Sequence, residues 1–145
     1  MFGCFGKSEC VFCSVSTENG FSIIYEDDTL IAFHDRSPGA RFHALVIPRD
    51  HVSTVKVLDT SHVPLLERMI GLGHQLLKDR GYAQNADQIR LGFHVPPFNS
   101  INHIHLHVLG LPFGNRFREW KYTPGLWFAE ANTVLERLRQ GLSPV

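Results

Sequence analysis

Three histidines alternate strictly in this sequence: His103, His105 and His107 are separated by Ile104 and Leu106 and followed by Val108 and Leu109. In a strand, residues two apart share a face, so the imidazoles project together at Cα spacings of about 6.5–7 Å. Ile104, Leu106 and Val108 then turn the other way, into a core. Strand propensity does not favour histidine, and three buried imidazoles with nothing to bond would be costly. The pattern therefore reads either as a chemical site or as a metal-binding or accidental polar face. Imidazole titrates near neutrality, so it can serve as an uncharged nucleophile or as a charged donor. A central ring attacking phosphorus would split one displacement into two steps through a phospho-histidine. Its neighbour could donate to the phosphate oxygens as negative charge builds.

A second group of reactive side chains lies near the start, in Cys10-Val11-Phe12-Cys13. Taken alone, a CxxC pair is open between metal or redox work and simple packing, because thiols pack well as small hydrophobes. The downstream partners of a zinc finger or ribbon are missing in sequence order. Cys4 has no evident partner. Three cysteines do not make a secreted disulfide framework, so a reducing compartment is expected, the cytoplasm and with it the nucleus.

The elements that must position these groups follow from periodicity and punctuation. Residues 1–9 read as a loose leader, and Cys10 to Thr17 as a short turn or helix. Ser22 to Tyr25 and Thr29 to His34 read as hairpin strands around the acidic turn Glu26-Asp27-Asp28. Asp35 to Gly39 break the chain before a third strand, Phe42 to Pro48. From Asp59 or Thr60 the period changes. Val63, Leu66, Met69, Ile70, Gly73 and Leu77 make one face of a helix, with Thr60 or Ser61 as cap, Pro64 in the first turn and Gly81 as the stop. Gln88 to Val95 and Ile101 to Leu109 read as the fourth and fifth strands. A loop follows Gly110, and Trp127 to Arg139 read as a final helix with Phe128, Ala131, Leu135 and Leu138 on one side. The expected fold class is α+β: a single domain over residues 1–145, with an antiparallel sheet of about five strands and two main helices.

Composition excludes several classes. The chain has 145 residues, and its 14 Lys and Arg balance its 14 Asp and Glu. A mainly electrostatic nucleic-acid binder would carry a basic excess, so nucleic acid is not the expected partner. No apolar run of about 18 residues is present, so no membrane span is expected. Met1 to Lys7 lack a charged region followed by an apolar run, so no signal peptide is expected either.

These motifs together resemble the histidine-triad (HIT) family of nucleotide hydrolases and transferases, whose signature is His-x-His-x-His with apolar residues between and after. The resemblance runs from about Cys10 to Trp127. It takes in Phe33-His34-Asp35, then His43 to Pro48 followed by His51. Gly92-Phe93-His94-Val95-Pro96-Pro97-Phe98 and Trp127-Phe128 look most like the third branch of the Hint subfamily, which is related to aprataxin. The resemblance implies a nucleoside phosphoramidase that cleaves the P–N bond at the α-phosphate of a purine nucleotide and releases AMP, with no catalytic metal. His105 would be the nucleophile. The main-chain carbonyl near His103 would bind its Nδ1, His107 would contact the phosphate oxygens, and His43 would line the site. Asp35 would bind the ribose hydroxyls, although in this sequence it also reads as a turn residue before Ser37-Pro38. Phe12, Phe33 and Ile31 would line the purine pocket, although from the residues alone they are simply core.

Ser100 matches a serine near the leaving amine. Asn99 stands where the first Hint branch has glutamine, and Gly92 where that branch has a phosphate-side asparagine, so leaving-group preference is open. The resemblance also implies a structural zinc on Cys10, Cys13, His51 and His103, and a homodimer joined through the first helix and a sheet edge. The alternatives are aprataxin-like removal of AMP from adenylated DNA ends and a nucleotide-binding regulatory protein. The geometric expectation is that the rings of residues 103, 105 and 107 line one wall of a nucleotide pocket.

Overall fold

A computed structural model describes residues 10–145, so the expected leader and Cys4 lie outside the described residues. Six strands form one antiparallel sheet: β1 (Ile23–Glu26), β2 (Leu30–His34), β3 (Ala40–Pro48), β4 (Ile89–His94), β5 (Leu106–Phe113) and β6 (Phe128–Glu130). Their order across the sheet is β1-β2-β3-β5-β4-β6. The helices are α1 (Val63–Asp79), α2 (Arg116–Lys121) and α3 (Ala131–Arg139), and a 3-10 turn over Val11–Ser14 carries the CxxC pair. The expected α+β class holds, with one more strand and one more short helix.

The sheet has two unlike faces because alternate residues diverge. Leu30, Ala32, Ala44, Val46, Leu91, Phe93, Leu106 and Val108 pack on one face against Leu66, Met69, Ile70 and Leu77 of α1 and Val134, Leu135 and Leu138 of α3. Asp59 caps a 3-10 turn over Thr60–His62 through the amide of Ser61, with His62 closing a capping box; that turn leads into α1, whose own N-cap, His62, makes no side-chain cap bond, where Thr60 or Ser61 was expected to cap. Pro64 sits in the first turn, where its missing N–H has no intrahelical acceptor to lose. The opposite face carries Ile31, Phe33, Leu45 and Ile47 around Phe12, and beside them the histidines.

Besides shifts of one or two residues at strand ends, three elements differ from expectation. β5 begins at Leu106, so His103 precedes the strand, and it continues through Gly110 and Pro112 to Phe113. Arg116–Lys121, expected as loop, is α2, capped by Asn115 through the amide of Arg118. The final helix starts at Ala131. Phe128–Glu130 before it form β6, which pairs with Gly92–His94 of β4. Over those residues the β4 edge, a surface expected to face a second protomer, is covered within the chain. No helix among the described residues is long and apolar enough to cross a membrane.

Leu66 is fully buried where α1 meets the sheet. Leu66→Ala should cost about 2–5 kcal/mol of stability, read as a lower urea midpoint with an unchanged m-value.

Candidate active site

Register brings the histidines together. In the β3–β5 ladder Leu45 faces His107, and Leu109 faces His43 two residues along each strand. His43 and His107 therefore share a face, and their rings meet with His43 Nε2 2.9 Å from His107 Nδ1. His105, just before β5, is on the same side, its ring centroid 5.1 Å from that of His107. Ile104, Leu106 and Val108 are in the core, as alternation requires.

The backbone decides where the protons sit. His105 Nδ1 donates to the His103 carbonyl at 2.8 Å. A neutral imidazole has a single N–H, so His105 Nε2 carries a lone pair. His43 Nδ1 accepts from the Gly39 amide at 2.9 Å, which places the His43 proton on Nε2. That proton is donated to His107 Nδ1, with Asp35 Oδ2 at 3.4 Å from the same nitrogen. His107 must then carry its own proton on Nε2. Among buried side-chain nitrogens and oxygens of the described residues, His107 Nε2 is the one without a protein hydrogen-bond partner. A lone pair on His105 and an unused N–H on His107 thus sit on adjacent rings.

Burial keeps these rings neutral. It lowers the pKa of His105, against the opposing pull of the His103 carbonyl and Asp35. It lowers that of His107 further, with His105, His43, His94 and Lys121 acting in the same direction. His43 is also lowered by burial, which outweighs Asp35. Asp35, His43 and His107 have the composition of a metal site, their ligand atoms lying within 4.8 Å of one another. The Gly39 amide argues against that use. It needs an acceptor at His43 Nδ1, which leaves the proton, and no lone pair, on the nitrogen facing Asp35 and His107.

His105 and His107 line a cavity of about 390 Å³ with Phe12, Phe21, Phe33, Leu45, Asp35 and Ser100. Three of these form an aromatic cup: the Phe12, Phe21 and Phe33 rings stand edge-on to one another with centroids 5.0–6.2 Å apart. Asp35 is held at the rim, where Oδ1 accepts from the Ser37 amide. Arg118 clamps the same loop through the Ser37 carbonyl and hydroxyl. The turn reading of Asp35 and the site reading are therefore both satisfied by one side chain.

Some expected residues lie elsewhere. The His103 ring is not in the cavity wall. It is buried with Nε2 on the Pro48 carbonyl and Nδ1 toward the cysteines, because position 103 precedes the alternating strand. Ile31 is in the packing around Phe12 and does not line the cavity. Asn99 lies in a narrow recess on another side of His105, beside His94 and Ile104. Its amide bonds the Ile101 carbonyl and Asn102 Oδ1, so the turn itself uses its donors. Phe21 and Leu45 are cavity residues not singled out from sequence. Leu45 was findable from its two-residue spacing to His43. His94, undecided from sequence, is buried and donates through Nε2 to the Lys121 carbonyl.

The CxxC pair meets two histidines. Cys10 Sγ and Cys13 Sγ are each 3.5 Å from His103 Nδ1, and Cys13 Sγ is 3.4 Å from His51 Nδ1. A tetrahedral zinc with ordinary Zn–S and Zn–N lengths has S···N edges of about 3.6 Å. The separations therefore fit that metal, the donor chemistry fits it once both cysteines are thiolates, and the Pro48 carbonyl fixes the His103 tautomer with Nδ1 free to ligate. Cys13 is disulfide-bonded in the structure, so it would have to be reduced before it could ligate a metal.

Comparison with known proteins gives the family. Residues 9–123 match the family described as "Scavenger mRNA decapping enzyme C-term binding". Adenosine 5'-monophosphoramidase HINT3 of Xenopus tropicalis is 38% identical over 138 residues, covering 90% of this chain and 87% of that protein. The Arabidopsis thaliana protein HINT4, a bifunctional adenosine 5'-phosphosulfate phosphorylase/adenylylsulfatase, is 40% identical over 144 residues, or 94% of this chain and 95% of its own. Aprataxin of Danio rerio is 32% identical over 119 residues, but only 36% of that protein is covered. The crystal structure of a HIT family hydrolase from Legionella pneumophila superposes with a TM-score of 0.64 at 29% identity, over 71% of this chain and 93% of that one. With its paired imidazoles on one sheet face and a family match over most of its length, the chain belongs to the histidine-triad family.

Proposed function

We propose that this chain is a purine nucleoside phosphoramidase acting at the α-phosphate of AMP–amine conjugates. The observation that carries the reading is the 2.8 Å bond from His105 Nδ1 to the His103 carbonyl, which leaves Nε2 as a nucleophile at a cavity of mononucleotide size. The purine would enter the cup of Phe12, Phe21 and Phe33, and the ribose hydroxyls would reach Asp35. His105 Nε2 attacks phosphorus, the P–N bond breaks with its electron pair on nitrogen, and the departing amine takes a proton that the Ser100 hydroxyl passes on from a water, whose hydroxide is the equivalent consumed in the hydrolytic step. His107 Nε2–H donates to a phosphate oxygen as charge builds there. Water then attacks the nucleotidyl-histidine, the P–N bond to His105 breaks, and AMP is released. The HINT3 relatives are named for this activity.

A second reading is favoured by the plant relative named for adenosine 5'-phosphosulfate. It uses the same nucleophile and cup, with sulfate leaving from phosphorus. Sulfate needs no proton to depart, whereas an amine does. Aprataxin-like chemistry on DNA ends is less well supported, because the chain is neutral and spans about a third of the aprataxin length.

We also propose that Cys10, Cys13, His51 and His103 hold a structural zinc that ties the Val11–Ser14 turn to the sheet. Four protein ligands leave no open position, so the metal would take no part in the chemical step.

His105→Ala should lower turnover of a fluorogenic adenosine phosphoramidate by about a thousandfold or more while AMP still binds. Mass spectrometry should find an adenylyl adduct on the wild type alone; comparable turnover by the variant would overturn the assignment. With adenosine 5'-phosphosulfate in parallel, the larger kcat/KM identifies the leaving group.

The pH profile is a separate check. Protonating His43 or His107 breaks the hydrogen-bond chain, and both pKa values lie below the ordinary 6.5. Activity should therefore persist as the pH falls through 6.5 and fail only below it; a limb centred at or above 6.5 would contradict neutral, buried rings.

Zinc content should reach about one per chain after reduction and stay low in the oxidised protein. Cys10→Ser should lose the metal and melt several degrees lower; equal zinc in both proteins would remove this site.

A further inference from the structure

The cavity accounts for one side of His107. The other side is built by chain returning from beyond β5. Residues 121–130 are fastened to β4 and its end by three bonds besides the β6 pairing. His94 Nε2 donates to the Lys121 carbonyl at 3.0 Å, Arg90 Nη1 to the Tyr122 carbonyl at 3.1 Å, and the Val95 amide to the Trp127 carbonyl at 2.9 Å. These bring two buried rings against the imidazoles. Tyr122 lies with its centroid 5.3 Å from His43, 5.0 Å from His94 and 5.2 Å from His107. Phe128 lies 5.3 Å from His94 and 6.4 Å from His107.

Two glycines make room for these rings. A Cβ on Gly39 would stand 2.6 Å from Tyr122 Cε2. A Cβ on Gly92 would stand 2.5 Å from the Ala129 carbonyl oxygen and closer still to the Phe128 ring. Gly39 thus gives its amide to His43 and its missing side chain to Tyr122.

We propose that Tyr122 and Phe128 are positioning residues for the reaction: their rings seal the back of the imidazole chain Gly39–His43–His107, so that His107 presents its one open N–H to the phosphate. This rests on the reading of the cavity as a phosphate site. Water behind the rings would compete for the His43 Nε2 proton and for His107 Nδ1. His107 could then take its other tautomer and turn about its side-chain bonds. With the wall in place, the remaining direction for Nε2–H is the one the substrate occupies. The titratable and charged groups around His107 are His43 from β3, His94 from β4, its strand neighbour His105, Lys121 at the end of α2, and Asp35 in the loop after β2. Arg118 in α2 acts on His43, and the Tyr122 phenol, which burial holds protonated, also faces the rings; changing Phe128 removes none of these groups, and Tyr122→Phe removes only that uncharged hydroxyl.

The test compares the full chain with Phe128→Ala, Phe128→Leu and Tyr122→Phe. Long-range proton–nitrogen NMR of the side chains reads the tautomer and titration of His107 without substrate. Steady-state kinetics with the adenosine phosphoramidate reads kcat and KM. In the wild type His107 should be the Nε2–H tautomer. In Phe128→Ala it should populate both tautomers and titrate about one pH unit higher. kcat should fall about 10-fold to 100-fold, with KM within about threefold. Phe128→Leu and Tyr122→Phe, which keep an apolar seal, should stay near wild type.

A folded Phe128→Ala protein with wild-type His107 tautomer and kcat overturns the proposal, as does a loss confined to KM. Should Phe128→Ala not fold, Tyr122→Ala replaces it under the same criteria. If the wild type does not turn over the phosphoramidate, the reaction assigned above fails, and the NMR readouts still decide whether the wall holds His107.

Discussion

Main-chain hydrogen bonds to four of the buried imidazoles, passed on to His107 through His43, are the constraint on which the site depends. His43 is set by the Gly39 amide, His105 by the His103 carbonyl, His103 by the Pro48 carbonyl and His94 by the Lys121 carbonyl. A ring alone in water chooses freely between two nearly equal tautomers. A ring bonded at one nitrogen to a group that can only donate, or only accept, has no such choice. The amides and carbonyls belong to a hydrogen-bonded sheet and its adjoining turns, so the rigidity of the fold becomes the chemical identity of each nitrogen. The lone pair on His105 and the free N–H on His107 follow without any neighbouring charge to enforce them.

The sheet supplies this rigidity by separating two tasks. One face is hydrocarbon packed against α1 and α3. The other carries the imidazoles, the aromatic cup and Asp35. Because each strand contributes alternate residues to both, β5 anchors itself in the core through Leu106 and Val108 and offers His107 on the opposite side. Burial then does electrostatic work on the site face. Removing water disfavours the charged form of every ring there, and the carboxylate of Asp35 is too small a counterweight to reverse it.

Much of this was legible in the residues. Alternation separated Ile104, Leu106 and Val108 from His105 and His107, and helical spacing identified the buried stripe of α1. What escaped has physical reasons. β6 was hidden because Phe128 falls at helical spacing from Ala131 and Leu135, so a three-residue strand merged with the helix after it. α2 was hidden because its six residues are mostly charged or exposed and lie among glycines and prolines. His103 was misplaced because period two ends where the strand ends, a boundary that no residue type marks. Asn99 was matched by resemblance to a glutamine of the first Hint branch, but local geometry gives its amide N–H groups to the turn. The aromatic wall depends on pairings between residues 90–95 and 121–130, and contacts of that range leave no periodic trace.

β6 consists of residues 128–130 of a 145-residue chain, and it lies against a strand that ends at residue 94. During synthesis the ribosome releases every histidine of the site before it releases the strand that covers them. The sheet order also makes β4 wait first for β5 and then for β6, the kind of non-local pairing that slows folding and leaves an edge open meanwhile. A nascent chain stopped before Phe128 would therefore hold all its imidazoles and still lack the enclosure around His107.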